Sequence, residues 1–305
     1  GYAKDTQNTN SIQKVSKDTS NTDVQRVYFK IKADTGKSLV KNMIRHDFGN
    51  VVSIETSKKN IEALKKNKNL EFLGEVPVYR VQAISPEIHM PMQIPESGGG
   101  GGGSTQSNST FIERPCANPN YQPNYSKVSY GVRYMYENFV SNMTNTSGGK
   151  NVKVAVLDTG ANIAHPDLVN RVKYCVDTTT DPKTVGSCGD TYDLPFGHGT
   201  PVASVIAADS GSDNLGMYGV APEADLYIIR VCDMYGNCWD DDVAAGIYDA
   251  VNQGVNIISM SFGAPLDYWL PPTYKAHNST LQAIDYAYSN NILLVAAAGN
   301  YWSPP

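Results

Sequence analysis

From Val152 onward the chain alternates apolar runs with amphipathic stretches. VKVAVLD ends at Asp158, ADLYIIRV at Val231, VNIISMSF at Phe262 and ILLVAAAG at Gly299. Between them fall helical patterns after His198, from Asp242 to Gln253 with Gly254 as the stop, and from Leu281 to Ser289; the stretch YGVRYMYENFV, near Val128, opens the series. Strands that are apolar at nearly every position are covered on both faces, which predicts an α/β domain over 126–305, a parallel sheet with helices on either side. Such sheets bind their ligands beyond the carboxyl ends of the strands. Asp158 and Asn300 stand at two such ends.

Upstream the pattern changes three times. Residues 1–23 are rich in Asn, Thr, Ser and Lys and nearly free of large apolar side chains, so they read as a disordered leader. Residues 24–84 carry strand signals at VYFKIKA, VVSIE, LEFLG and VYRVQAI. Helical stretches run from Lys37 to Arg45 and from Ile61, which predicts a compact β-α-β, α-β unit. Residues 85–125 form a linker by composition: Pro86, Pro91 and Pro95 stiffen its start, and the glycines Gly98 to Gly103 with a Ser/Thr/Asn tract loosen the rest.

Composition is that of an ordinary globular protein, with 41% apolar and 18% charged residues and a net charge of −5. Nothing in that balance calls for nucleic acid or an anionic membrane as partner. The charge is uneven: residues 24–84 hold 12 Lys+Arg against 6 Asp+Glu, and residues 150–305 hold 7 against 17, an opposition that invites docking of the two parts. No apolar run approaches the roughly 20 residues of a membrane span. The chain opens on Gly1 and Tyr2 with no signal-peptide pattern, so both ends read as trimmed.

Five cysteines lie at 116, 175, 188, 232 and 238. Cys175 with Cys188, and Cys232 with Cys238, each flank a short polar loop without His or Cys neighbours at zinc-ligand spacing, so disulfides are expected and Cys116 is left over. Glycosylation triplets begin at Asn108, Asn124, Asn142, Asn145 and Asn278. Both features favour export, to the medium or the cell surface.

Three segments carry chemistry. VAVLDTG places the Asp158 carboxylate where the chain turns out of a buried strand. GHGTPVAS sets His198 between two glycines at the start of a helix, with Pro201 in the first turn where its missing N–H is not needed, and VAAAGN ends a strand on Asn300. A carboxylate that orients an imidazole, an imidazole that takes a hydroxyl proton and an amide that donates to an oxyanion form one working set.

In type and order these segments resemble the subtilisin-like serine proteases, where the triad runs Asp, His, Ser along the chain. The resemblance implies that Asp158 orients, His198 is the base and Asn300 donates to the oxyanion. The family more often has His and Gly where Pro201 and Ser204 stand, a departure that touches helix packing and leaves the base in place. Ser261, Phe262 and Gly263 match the segment that pairs with extended peptide substrate, and Gly236 and Cys238 match the other edge of that groove. A structural calcium site is implied at Asp167, Gly211, Asp213, Leu215 and Met217, with a solvated loop as the alternative; no cofactor is required for the chemistry.

Residues 24–84 resemble the propeptide of that family, a ferredoxin-like inhibitor whose tail lies in the active-site cleft. The closest stretch is IEALKKNKNLEFLGEVPVYRV, and the alternative is an unrelated small α+β domain. Autoprocessing is then expected between Tyr79 and Ser97. The nucleophile's G-T-S-M-A turn does not occur in the sequence, and Ser187, Ser212, Ser259 and Ser261 all lack its strand-turn-helix setting. The expected activity is that of an endopeptidase acting on peptide or protein substrates, made as a zymogen, with this chain alone inactive. A truncated or degenerate member that binds peptides without cutting them is the second reading. A freestanding inhibitor built on residues 24–84 is a third.

Overall fold

The computed structural model describes residues 23–81, 132, 148–180, 182–189, 197–211, 216–264 and 278–299. The leader apart from Asp23 and the linker lie outside these, as does the stretch near Val128 except Val132, which is helical. The chain forms two compact units, residues 1–75 and 76–305.

In the first unit, strands β1 (Val24–Ile31), β2 (Ile44–Asp47), β3 (Val51–Ser57) and β4 (Leu70–Glu75) form an antiparallel sheet in the order β2-β3-β1-β4. Helices α1 (Asp34–Val40) and α2 (Lys58–Leu64) complete a β-α-β-β-α-β unit of ferredoxin-like order. Alternate residues Val27 and Phe29 of β1 and Val52 and Ile54 of β3 form one core with Val40, Ile61, Leu64 and Leu70. The expected helix from Lys37 to Arg45 is corrected: the helix starts at Asp34 and ends at Val40, and Ile44 to Asp47 pair with β3. The apolar spacing of Val40, Met43 and Ile44 suits either conformation, and the open edge of β3 decides for a strand.

The second unit is built on a six-stranded sheet ordered β13-β11-β6-β9-β7-β8. The strands are β6 (Lys153–Asp158), β7 (Val172–Asp177), β8 (Thr184–Val185), β9 (Asp225–Arg230), β11 (Ile257–Met260) and β13 (Leu293–Ala296). All pair in parallel except the short edge strand β8. Val154, Val156, Leu226 and Ile228 face helix α3 (Gly199–Ala207) through Ala203 and Ala207. On the other face a Cβ on Gly246 of helix α4 (Asp240–Asn252) would lie 2.5 Å from Val231 and 3.6 Å from Leu157. Both faces are therefore covered, which is why β6 and β9 are nearly continuous apolar runs. Helix α5 (Ser279–Ser289) packs beside α4.

From β6 the chain goes on to β7 and β9 on one side of the sheet, and then to β11 and β13 on the other. The direction of winding thus switches between β6 and β11, so the carboxyl ends of these two strands, Asp158 and Met260, flank the crevice where such sheets bind ligands. A second, three-stranded sheet, β10-β5-β12, joins β10 (Asn237–Trp239), β5 (Val78–Val81) and β12 (Phe262–Gly263).

Candidate functional site

Asp158 is the last residue of β6 and is fully buried. Its backbone carbonyl accepts from Val231 and Cys232 at 2.9 and 3.2 Å, anchoring the strand end to the exit of β9. Its Oδ1 accepts from the Thr159 N–H at 2.7 Å, from the Thr159 hydroxyl at 3.2 Å and faces His198 Nδ1 at 2.7 Å. A carboxylate only accepts, so the imidazole proton belongs on Nδ1 and the ring's acceptor lone pair on Nε2.

Two glycines let the acid and the imidazole meet. Gly160 has φ +100°, and a Cβ there would lie 2.4 Å from the Cys188 carbonyl. Gly199, the first residue of α3, approaches Gly160 and Asp158 so closely that its own Cβ would stand 1.9 Å from the Gly160 oxygen. His198 is the residue just before α3. Its position against Asp158 therefore depends on a helix start pressed against a strand end. The Gly199 N–H donates to the Thr159 hydroxyl at 3.0 Å, tying the two segments a second time.

Disulfides support both sides. Cys175 of β7 is bonded to Cys188, and the Cys188 carbonyl accepts from Ala161 at 2.8 Å, holding that loop over the turn after Asp158. Cys232 is bonded to Cys238 of β10. Between them Asp233 Oδ1 accepts from the Tyr235 and Asn237 amides at 2.8 and 2.9 Å, folding a tight loop. That loop presents the Gly236 carbonyl, which accepts from Val81 at 3.0 Å.

Gly236 and Cys238 thus lie on one edge of a groove, Phe262 and Gly263 on the other, and the chain's own β5 fills the space between. Tyr79 pairs with Cys238, Arg80 with both Asn237 and Gly263, and Val81 with Phe262, all antiparallel. Ser261 is half-buried between β11 and β12 and takes no place in the ladder.

Of the residues expected at a calcium site, Asp167 is buried at 8% exposure; its Oδ2 accepts from Met217 at 3.1 Å and its backbone carbonyl from Asp209 at 3.0 Å. Gly211 and Met217 lie on either side of a loop whose Asp213 and Leu215 fall outside the described residues, as does Asn300. Among the described residues of that set Asp167 alone brings a carboxylate, a hard oxygen donor of the kind calcium takes.

Three roles escaped the sequence reading: Thr159 as a tether between strand and helix, and, beside the groove, Asp240 and Asn278, whose side chains meet the Tyr79 hydroxyl at 2.8 and 3.0 Å. The Asp-Thr-Gly run signals the first. The other two are 161 and 199 residues from Tyr79 and carry no local signal.

Comparison with known proteins gives the same picture. The profile of the Subtilase family matches residues 149–304. The subtilisin of Bacillus sp. (strain TA39) is 34% identical over 265 residues, 84% of this chain and 52% of its own length. The intracellular serine protease of Paenibacillus polymyxa is 42% identical over 156 residues, 51% of this chain and 44% of its own. Among solved structures, the epidermin leader peptide processing serine protease of Staphylococcus aureus superposes with a TM-score of 0.55 over 90% of this chain and 60% of its own, at 20% identity, a likeness of fold. The chain spans about half the length of the curated relatives it matches. Among the described residues no helix is long and apolar enough to cross a membrane. With the family profile covering half of its residues, and an aspartate and a histidine joined at the switch point of its sheet, this chain belongs to the subtilase family.

Proposed function

We propose that this chain carries the acid, the base and the substrate groove of a serine endopeptidase made as an autoinhibited zymogen. The observation that carries the reading is the 2.7 Å hydrogen bond between Asp158 Oδ1 and His198 Nδ1. It leaves Nε2 to take the proton of a serine hydroxyl as that oxygen attacks the peptide carbonyl, and Asp158 stabilises the imidazolium so formed. Asn300 donates to the oxyanion, a contribution of about 3 to 4 kcal/mol to the barrier. The nucleophile comes from sequence beyond these 305 residues, since none of the serines here has the required setting.

Autoinhibition by residues 24–84 is supported by the pairing of β5 with β10 and β12, which uses the groove as an added-strand substrate would. It is supported too by the similarity to the TA39 subtilisin, which runs over 84% of the chain and so extends beyond 149–304. Maturation then cuts between Tyr79 and Ser97. A calcium ion held by Asp167, Gly211, Asp213, Leu215 and Met217 steadies the loop before Gly219. Secretion or cell-surface display is supported by the two disulfides, of a kind that persists in oxidising surroundings.

Hydrolysis of a fluorogenic peptide tests the reading. The 305-residue chain leaves it intact, and the protein extended through its nucleophile segment cleaves it, with His198→Ala abolishing cleavage. Hydrolysis by the 305-residue chain that a serine-directed acylating reagent blocks overturns the assignment of an external nucleophile. An extended protein that binds peptide and never cleaves it decides for a non-catalytic binder.

A further inference from the structure

Strand β5 sends one aromatic side chain into a polar recess of residues 76–305. The Tyr79 hydroxyl donates to Asp240 Oδ1 at 2.8 Å and accepts from Asn278 Nδ2 at 3.0 Å. Its ring lies 6.3 Å from that of Phe262, and the next residue, Arg80, is exposed, as strand alternation requires.

Both partners are fixed by the protein's own backbone. Asp240 is fully buried at the start of α4; its Oδ2 accepts from the Ser279 N–H at 2.8 Å and its Oδ1 from the Thr280 N–H at 3.2 Å. Asn278 caps α5, its Oδ1 accepting from Leu281 at 2.8 Å. That bond commits the oxygen end of the amide to the helix and turns the NH₂ end toward the phenol. A hydroxyl arriving here meets one acceptor and one donor already in place. Burial, reinforced by the Asp240 charge and hydrogen bond, raises the Tyr79 pKa well above its ordinary value, so the phenol keeps the proton it donates.

We infer that Asp240 and Asn278 form a tyrosine-reading subsite: a peptide that adds a strand between β10 and β12 is selected for tyrosine at the residue that pairs with Cys238. The inference rests on the reading of this groove as the substrate groove and adds to it the residue chosen. Phenylalanine fills the same volume and withdraws a partner from a buried carboxylate and from an amide. Sites built to bond a hydroxyl discriminate strongly against analogues without one. Phosphotyrosine brings a dianion against Asp240 and is rejected more strongly still.

The test is fluorescence anisotropy with the intact 305-residue chain carrying Tyr79→Ala, which empties the recess. Its probes are labelled heptapeptides VPVYRVQ, VPVFRVQ and the phosphotyrosine form of the first. Any residual competition from the tethered strand weakens all three alike. The tyrosine peptide is expected to bind at least about tenfold more tightly than the phenylalanine peptide, as a hydrogen bond to a charged group implies, with the phosphopeptide weakest. Asn278→Ser, which keeps a capping oxygen and loses the NH₂, and Asp240→Asn each bring the tyrosine-to-phenylalanine ratio toward one. Amide exchange gives a readout that does not need Tyr79→Ala to fold: in the otherwise unaltered chain Tyr79→Phe speeds exchange of the Val81 amide at least about tenfold, while Val156 in β6 is unchanged. Equal affinities for the tyrosine and phenylalanine peptides overturn the inference and leave the groove standing. Binding of neither peptide, with Val81 exchange unaltered by Tyr79→Phe, overturns the inference and the groove together.

Discussion

Gly199 stands against Gly160 with so little room that a Cβ on Gly199 would lie 1.9 Å from the Gly160 carbonyl oxygen and 3.0 Å from the Asp158 Cβ. The contact joins the first residue of α3 to the turn that follows Asp158, and so sets the spacing across which Asp158 and His198 bond. Gly199→Ala forces the helix start away from the strand end. Overpacking of this kind costs about 1 to 3 kcal/mol, measurable by denaturant unfolding, and the lengthened Asp158 to His198 distance removes the downfield Nδ1 proton resonance of His198.

Asp158→Asn keeps the shape of the side chain and removes its charge. The amide can donate to the ring, which favours the tautomer with its proton on Nε2, where the base is needed. In the protein that includes the nucleophile, kcat is expected to fall by about four orders of magnitude, with far-UV circular dichroism unchanged. Loss of less than tenfold counts against Asp158 as the orienting acid.

The Cys232–Cys238 bond closes the loop that offers the Gly236 carbonyl to Val81. Replacing both cysteines by serine frees a short loop, for which chain entropy gives about 2 kcal/mol of lost stability. Hydrogen exchange distinguishes the local effect: the Val81 amide exchanges faster, and the β6 amides of Val156 and Leu157 keep their protection.

Alkaline pH acts on three tyrosines among the described residues of 76–305, one of them Tyr248, raised by burial and then by Tyr286. Burial, with a hydrogen bond and the charge of Asp249, raises Tyr174 from 10.0 to about 12, and Tyr79 is raised further by burial and Asp240. A pKa raised in the folded state means that the unfolded chain loses its proton first. Their contribution is therefore whole below pH 10 and is lost as pH rises from 10 towards 12 and beyond. Urea midpoints measured across that window should fall, and Tyr174→Phe should flatten the fall.

Calcium is expected to raise the melting temperature through Asp167. At free calcium 100 times its dissociation constant the gain is about 2.7 kcal/mol, reversed by a chelator. Asp167→Asn should remove the increment while leaving the Asp158 and His198 resonances in place. An unaltered melting curve on chelation counts against the site.

What could be read in advance was local. Asp158 at the end of an apolar run, His198 between glycines before Pro201, and cysteines spaced by short polar loops each carry their signal within a few residues, because strand burial, helix starts and loop closure are decided over that distance. Even there a short apolar stretch suits two conformations, as at Ile44, and β7 carries no continuous apolar signal, because the polar residues Lys173 and Tyr174 stand between its apolar positions.

The tertiary structure alone decided which distant segments meet. That Gly199 must be glycine follows from Gly160, 39 positions earlier in the sequence. That Val78 to Val81 form a strand follows from β10 and β12, whose open edges supply the hydrogen bonds a four-residue segment cannot make within itself. Asp240 reads as one of three acids opening a helix until Tyr79 is folded onto it. Apolar periodicity specifies which face of an element is buried; the partner on that face is chosen by the packing of the whole sheet, and the chemistry of the groove belongs to that choice.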